Sequence, residues 1–306
     1  MNKSQERLIY AAYFAPRGVV RMAEMGNQIS QRHLNPFDKL IGIVGEAGSG
    51  KSMLVKGMFP GLEMTNDDNG VNVRPLPLLD PEESIFYAPH TYHVDIRFEM
   101  AFTQIGVLAQ AIEKALALGR RVVVEHFELV RPYIKRNAEL LIGVGEEIIV
   151  TRPNIFGPEP QDIAETVFKT IKYRKMAHTA EDLTERMLWP DYRNKYKHGD
   201  VRRGFILQFD TEPKVNIPEI EAYVKQRIAD NIPVSFHDET HIMFGDKIHY
   251  CTGPRMHVRN TGEITGFHLM PDVYYDPVAE CYMLVGRVGD VDSKETDYSN
   301  INTIEL

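Results

Sequence analysis

Residues 39–56 read KLIGIVGEAGSGKSMLVK, and this stretch decides the fold of the first half of the chain. An apolar run from Leu40 to Val44 precedes the loop GEAGSGKS, and a segment with helical composition begins at Met53. The loop fits the pattern G-x-x-x-x-G-K-[ST] at Gly45, Gly50, Lys51 and Ser52. A strand, a glycine-rich loop and a helix in this order predict a loop that turns its amide groups onto phosphate.

Each residue type in the loop suits one part of a nucleotide. The glycines allow positive φ, which turns backbone N–H groups inward. We expect Lys51 to reach the outer phosphates of ATP or GTP and the Ser52 hydroxyl to hold Mg²⁺. The alternative is a glycine turn that happens to carry a lysine. The residues expected to contact the nucleotide are Gly45, Glu46, Ala47, Gly48, Ser49, Gly50, Lys51 and Ser52.

Length and composition narrow the class of protein. A chain of 306 residues is long enough for two buried cores. A formal net charge of −8 argues against a broad surface that coats nucleic acid. The chain has two cysteines, Cys251 and Cys281, no leader-like start and no apolar run near the roughly 20 residues of a membrane span. These features predict a cytoplasmic protein with reduced cysteines and no membrane partner.

Two carboxylates in the first half are candidate catalytic groups. Asp67 lies in the acidic run 66–70, where it is either a base for an acceptor hydroxyl or turn chemistry, and both readings stay open. Glu125 follows the apolar run 122–124, where a carboxylate holds the water of a metal ion or orients a nucleophile, or instead caps a helix near Glu128.

The segment TYHVDIRFEM alternates like a strand throughout its length. Residues 1–38 carry no recognisable chemistry.

Strands and helices alternate as far as residue 131, which predicts an α/β fold: a parallel sheet with helices on both faces. The phosphate loop and this order resemble the core of P-loop kinases, including nucleoside and uridine kinases. The resemblance implies Mg-ATP and phosphoryl transfer, although the chain lacks a clear arginine-rich lid after the fourth strand. A run rich in Pro and Gly then predicts a domain boundary near residue 160. The expected domains are 1–160 and 161–306.

The second half carries another set of motifs in order. These are KMAHTAEDLTERML (175–188), DVRRGFILQFD (200–210), IPEIEAYVKQRIADNIPV (217–234) and YCTGPRMHVRNTGEITGFHLM (250–270). They resemble the helix H-[ST]-A-x-H-L-L, the strand, the following helix and the C-G-G-T-H-V-x-x-T-G-E-I-G-x-F turn of the second additional (editing) domain of alanyl- and threonyl-tRNA synthetases. The resemblance implies an α+β editing-like domain and a tRNA acceptor end or aminoacyl-tRNA as partner.

The same resemblance implies a zinc site. Carried over by position, its ligands are His178, Asp182, Cys251 and His257. Asp182 stands where the family has histidine, and His257 lies six positions after Cys251, where the family has four. Thiolate, imidazole and carboxylate all suit Zn²⁺. The alternative is that His178 is an ordinary core histidine and Cys251 a small buried apolar residue.

Other polar residues of the second half are weaker candidates. His237 and His241 in HDETH are four apart, but a strand-to-loop context predicts a polar surface rather than a shared metal. Arg255, Arg259 and Lys247 suit phosphate contacts to a tRNA end, or are solvated charges.

Three functions follow from these motifs. The first is an Mg-ATP-dependent phosphotransferase that acts on a small hydroxyl acceptor, with Asp67 or Glu125 accepting its proton. The second is an aminoacyl-tRNA deacylase regulated by nucleotide, in which a water activated by metal or substrate attacks the ester. The third is a non-catalytic, ATP-responsive protein that binds tRNA or a synthetase.

Overall fold

The computed structural model describes residues 9–65, 77–79, 91–289 and 301–302. The chain divides into two compact units. Unit 1 comprises the chain up to Tyr13 together with Met22–Lys169, and unit 2 comprises Phe14–Arg21 together with the chain from Thr170 onward. The expected boundary at residue 160 lies at the start of one long helix, which begins in unit 1 and continues in unit 2.

Unit 1 contains a mixed sheet and short helices. Its strands are β1 (Ala11–Phe14), β2 (Leu40–Gly45), β3 (Thr91–Asp95), β4 (Arg121–Glu125), β5 (Leu140–Val144) and β6 (Glu147–Thr151). Its helices are α1 (Val19–His33), whose first three residues belong to unit 2, α2 (Lys51–Met58), α3 (Ile96–Glu99), α4 (Ile105–Ala117) and α5 (Phe127–Val130), with 3-10 turns at Pro77–Leu79 and Arg131–Tyr133.

The sheet of unit 1 has the order β1-β6-β5-β2-β4-β3 within the described residues. Strand β2 pairs in parallel with β4 and β5, and β3 pairs in parallel with β4. All six residues of β2 are buried, as expected for a strand covered on both faces. The sheet is mixed rather than wholly parallel, because the chain turns at Gly145 and Glu146 and β6 returns antiparallel to β5.

The strand predicted from TYHVDIRFEM was wrong beyond Asp95. The Asp95 carboxylate accepts the backbone N–H of Phe98 at 3.1 Å, which is an N-cap contact. The chain therefore enters α3 instead of continuing as a strand, and Arg97 and Glu99 belong to a helix.

Helix α1 packs closely against α2 through glycines. A Cβ atom on Gly26 would lie 2.1 Å from the Leu54 carbonyl oxygen, and one on Gly57 would lie 1.9 Å from that of Ala23. Any side chain at these two positions would push the helices apart. This close contact with α1 holds α2, the helix that follows the glycine-rich loop, in position.

Unit 2 combines one long helix with antiparallel sheets. The helices are α6 (Pro160–Tyr192), whose first ten residues belong to unit 1, and α7 (Ile217–Ala229), with a 3-10 turn at Thr261–Glu263. The strands are β7 (Tyr196–Val201), β8 (Gly204–Phe209), β9 (Val234–Asp238), β10 (His241–Phe244), β11 (Lys247–Tyr250), β12 (His268–Leu269), β13 (Tyr274–Asp276) and β14 (Cys281–Arg287).

Two sheets of unit 2 surround a core that includes α6. One has the order β11-β10-β9, and the other has the order β12-β14-β8-β7 with β13 paired to β14. Leu183 of α6 packs in one hydrophobic cluster with Leu207, Val224, Ile242 and Leu284. Glu181, Asp182 and Glu185 of the same helix are also buried, which is costly unless cations or hydrogen-bond donors face these acids.

No helix in the described part of the chain is both long enough and apolar enough to cross a membrane.

Candidate functional site

The glycine-rich loop of unit 1 joins the buried strand β2 to α2. Gly48 (φ 79°) and Gly50 (φ 94°) lie in the left-handed region, which favours glycine. A Cβ on Gly45 would lie 2.7 Å from the Val144 carbonyl oxygen, so no larger residue fits there. These three glycines allow the chain to turn sharply between strand and helix. The whole segment predicted to contact nucleotide, Gly45 to Ser52, lies at this turn.

Lys51 is the first residue of α2, and its side chain is 4% exposed. Its Nζ donates to the Glu46 carbonyl oxygen at 2.8 Å. Burial lowers the pKa of Lys51, although the negative charges of Glu125 and Asp95 act in the opposite direction. The ammonium thus lies against the loop backbone, where the charges of two carboxylates act on it.

Glu125 ends β4 beside the start of α2. The Ser52 hydroxyl donates to Glu125 Oε2 at 3.3 Å, and His93 Nε2 lies 3.1 Å from Oε1. His93 Nδ1 accepts the Thr65 N–H at 3.1 Å, so the ring proton is assigned to Nε2, which donates to Glu125. Burial alone would raise the pKa of Glu125, but the hydrogen bond from His93, the charge of Lys51 and the hydrogen bond from Ser52 lower it.

Asp95 is a site residue that the sequence analysis did not single out. It lies opposite Glu125 in the parallel register of β3 and β4, so both carboxylates occupy the same edge of the sheet. Asp67, predicted for a related role, lies outside the described residues. The signal for Asp95 was its place at the carboxyl end of a strand, which the continuous strand prediction obscured.

Three of the four residues predicted to ligate zinc converge in unit 2. One ligand atom each of Asp182, Cys251 and His257 lies within 4.8 Å of the others. Cys251 Sγ is 3.2 Å from His257 Nε2, and Asp182 Oδ2 is 3.6 Å from the same nitrogen. The longer Cys-to-His loop folds back through a turn in which Met256 N–H donates to the Gly253 carbonyl, so the altered spacing does not separate the two residues.

His178, the fourth predicted ligand, is buried one helical turn before Asp182. Its ring centroid lies 6.3 Å from that of His257, but it is not part of any group of three close ligand atoms among the described residues. Its Nδ1 has no hydrogen-bond partner in the described structure. Burial, with the charges of Arg174 and Arg17, lowers the pKa of His178 well below its ordinary value, so the ring is neutral.

Arg17 occupies the centre of this cluster, although the first 38 residues showed no recognisable chemistry in the sequence. It is 2% exposed and forms an ion pair with Asp182. Its guanidinium donates to Cys251 Sγ at 3.3 Å and contacts Glu181 Oε2 at 2.7 Å and Glu185 Oε1 at 3.4 Å. Burial alone would lower the pKa of Arg17, but these acidic neighbours raise it, so the group is a fixed cation.

Two imidazoles complete the acidic cluster. His198 Nδ1 lies 2.7 Å from Glu181 Oε1 and 3.3 Å from Glu185 Oε1. His249 stacks on Trp189 with ring centroids 4.6 Å apart, and neither of its ring nitrogens has a hydrogen-bond partner in the described structure. Burial lowers the pKa of His249 to about 3. In the sequence, the acidic cluster was indicated by the spacing of Glu181 and Glu185, since residues four apart on a helix share one face.

The cluster does not fit zinc with Arg17 in place. The donor types suit zinc, but a cation already contacts Asp182 and Cys251, two of the atoms that zinc would need. Burial also raises the pKa of Cys251, although the charge of Arg17 acts in the opposite direction.

The weaker sequence candidates lie at the surface. His237 and His241 lie on different strands, and His241 Nδ1 is 2.9 Å from the Asp238 carboxylate. No close group of metal ligands among the described residues includes either histidine. Arg255 pairs with Glu239 at 2.9 Å, and Arg259 and Lys247 are exposed.

No protein-family model matches this chain. No curated protein matches it either. One solved structure similar to it is the crystal structure of YdiB from Bacillus subtilis, with 14% sequence identity and a TM-score of 0.30. The match covers 54% of this chain and 98% of that chain. Similarity at this level assigns neither a fold nor a function.

Proposed function

We propose that unit 1 binds Mg-ATP and transfers its terminal phosphoryl group to a small hydroxyl acceptor. One observation carries the proposal: the Ser52 hydroxyl, at the start of α2, lies 3.3 Å from the Glu125 carboxylate, at the end of the neighbouring parallel strand. A hydroxyl and a carboxylate so arranged would hold Mg²⁺, as a loop Ser or Thr and a strand-end acid do in P-loop enzymes.

The loop supplies the phosphate contacts. Its glycines allow the amides between Gly45 and Ser52 to turn inward, and the first turn of α2 adds unpaired N–H donors and a positive dipole end. Lys51 lies close enough to exchange the Glu46 carbonyl for a phosphate oxygen. The resemblance to P-loop kinases, made on the same residues, agrees with this assignment.

The position in the sheet supports the same reading. The loop follows β2, the strand from which the sheet extends to β4 and β3 on one side and to β5 and β6 on the other. Ligands of open α/β sheets bind beyond the carboxyl ends of the strands, where the strand order changes direction. Glu125 and Asp95 end the next two strands at that edge.

Each carboxylate has a role in the proposed reaction. Glu125, which contacts His93 and Ser52, would help to hold Mg²⁺. Asp95, one strand further on, is the proposed base that accepts the proton of the acceptor hydroxyl. Arg97 is exposed one residue after α3 begins, and its charge acts on the pKa of Lys51. We assign it to the transferred phosphoryl group, a role that lid arginines fill in related enzymes.

Unit 2 enters the proposal as a recognition unit for an aminoacyl or tRNA-end ligand. Its support is the resemblance to editing domains and the convergence of Asp182, Cys251 and His257. Because Arg17 contacts two of these residues, we do not extend the proposal to a metal-activated water.

The test of the proposed reaction is the variant Glu125→Gln. We expect ATP binding through the loop and Lys51 to persist, while release or transfer of the γ-phosphate falls about 10²- to 10⁴-fold, since the amide lacks the negative charge that would hold Mg²⁺. ADP formation in the presence of a panel of small alcohols measures transfer to either acceptor, and inorganic phosphate measured in the same samples gives the share that goes to water. The control is Glu113→Gln, a carboxylate on α4 that pairs with Arg136. Equal turnover by wild type and Glu125→Gln would refute the assignment.

A further inference from the structure

The buried cluster of unit 2 contains three acidic side chains. Glu181, Asp182 and Glu185 all lie on α6 with less than a tenth of each side chain exposed. Arg17 contacts all three of them and the sulfur of Cys251. Its planar fork of donors can face several acceptors at once, which a lysine cannot do with its single ammonium. Arg17 is therefore the cation on which this group of acids depends.

The backbone around Arg17 is built to place it there. Arg174 donates to the Pro16 carbonyl at 3.0 Å, and Val19 N–H donates to the Thr252 carbonyl at 3.3 Å. Gly18 between them has φ 83°, and a Cβ at this position would lie 2.9 Å from the Thr252 hydroxyl oxygen. The turn that carries Arg17 is thus fixed against the residue that follows Cys251.

The guanidinium and a zinc ion need the same atoms. Asp182 and Cys251 both face Arg17, and both belong to the trio that would ligate a metal. Zinc would need a lone pair of the Cys251 sulfur, whereas that sulfur already accepts hydrogen bonds from Arg17 and from the Gly253 N–H, each at 3.3 Å. Two cations in one small buried cluster would also repel each other strongly.

We propose that Arg17 is the resident cation of this cluster, so that unit 2 holds its native structure without zinc, and that the trio of Asp182, Cys251 and His257 accepts zinc only when Arg17 is removed. The cluster then has the donor set of a metal site but is used as an arginine site. Zinc and Arg17 are alternative occupants, and the side chain at position 17 selects between them.

The test compares zinc content and thermal stability of the full chain. Wild type, Arg17→Met and Arg21→Met are purified, incubated with zinc, freed of excess metal and measured by elemental analysis and native mass spectrometry. Arg21 is a matched control, since it lies in the same segment but pairs with Asp200. We expect less than about a tenth of an equivalent of zinc in wild type and Arg21→Met, and about one equivalent in Arg17→Met. Arg17→Met/Cys251→Ser should lose that zinc.

Wild type alone decides the proposal if Arg17→Met does not fold. A chelator should leave its melting temperature unchanged, because no metal supports unit 2. One tightly held zinc per wild-type chain, with a lower melting temperature after chelation, would overturn the proposal. If Arg17→Met folds but takes up no more zinc than Arg21→Met, the claim that the trio accepts zinc once Arg17 is removed would be overturned.

Discussion

Glu125 and Asp182 are both almost fully buried carboxylates, yet their neighbours differ in kind. Glu125 accepts hydrogen bonds from His93 and from the Ser52 hydroxyl. Asp182 faces a guanidinium that the chain cannot deprotonate. The first arrangement leaves a carboxylate that can exchange partners with a metal-bound water, whereas the second arrangement fixes a charge pair. Because of this contrast, we assign a role in the proposed reaction to Glu125 and a structural role to Asp182.

His249 gives a pH prediction at the residue scale. Its pKa is lowered to about 3 by burial, so below pH ~6.5 the unfolded chain binds a proton that the folded chain does not. The free energy of unfolding therefore falls as the pH drops from 6.5 toward 3. His249→Phe keeps an aromatic ring stacked on Trp189 but cannot bind a proton. The loss of unfolding free energy between pH 7.5 and 5 should therefore be smaller in the variant by about 2 kcal/mol.

Urea unfolding at several pH values checks this prediction. Trp189 is the single tryptophan of the chain and lies in unit 2, so its fluorescence reports on the unit that contains His249. The variant should also be at least as stable as wild type at pH 8, because both ring nitrogens of His249 are buried without hydrogen bonds in the described structure. Equal pH slopes in wild type and variant would contradict the account.

At the scale of elements, the close packing of α1 against α2 fixes the position of the helix that follows the phosphate loop. Gly26 of α1 lies against the backbone of α2, where a Cβ would meet the Leu54 carbonyl oxygen at 2.1 Å. Helix α2 begins with Lys51 and Ser52, so a shift of this helix moves both side chains. The loop is therefore sensitive to a residue that does not contact it.

Gly26→Ala tests this sensitivity. Overpacking at the crossing should cost about 1–3 kcal/mol of stability and weaken Mg-ATP binding, despite the better helix propensity of alanine. Gly106→Ala in α4 is the matched control, since a Cβ there meets nothing within 4 Å. We expect the control to bind nucleotide normally and to be slightly more stable. Calorimetric titration and thermal unfolding measure both effects, and unchanged affinity in Gly26→Ala would refute the proposed support.

The sequence predicts elements best where the signal is local. The run from Leu40 to Val44 and the helix after Lys51 are read from adjacent residues, and the structure places β2 and α2 there. The strand through Met100 was wrong because a single cap by Asp95 outweighed an alternating pattern. Two apolar strands around Gly143 and Gly145 were expected from the sequence, and β5 and β6 lie there, but the antiparallel direction of β6 was not predicted because the hydrophobic pattern of a buried strand does not indicate its direction.

At the scale of the whole molecule, the two units hold two separate sets of chemistry. The motifs of each unit could be read from its own sequence, but the partner of the acidic cluster could not. Arg17 lies 234 positions before Cys251 and belongs to a segment with no motif. Only the folded chain brings them together, because no local rule links an arginine at the start of the chain to acids on a helix in its second half.

The two proposals fail independently, since one concerns nucleotide at unit 1 and the other a cation at unit 2. Loss of Arg17 should alter zinc content without any change in residues 45–52. Loss of Lys51 should alter nucleotide binding and leave the acidic cluster intact. Each variant therefore serves as a control for the other in the same assays.

The most direct test of the central claim is calorimetric titration of Mg-ATP into wild type, Lys51→Ala and Lys56→Ala. Lys56 lies in the last turn of the same helix and matches the change in charge. Removing a charged donor to phosphate should weaken binding about 10- to 150-fold in Lys51→Ala, while Lys56→Ala binds like wild type. If wild type does not bind Mg-ATP, or if Lys51→Ala binds it equally well, the phosphate loop is not a nucleotide site.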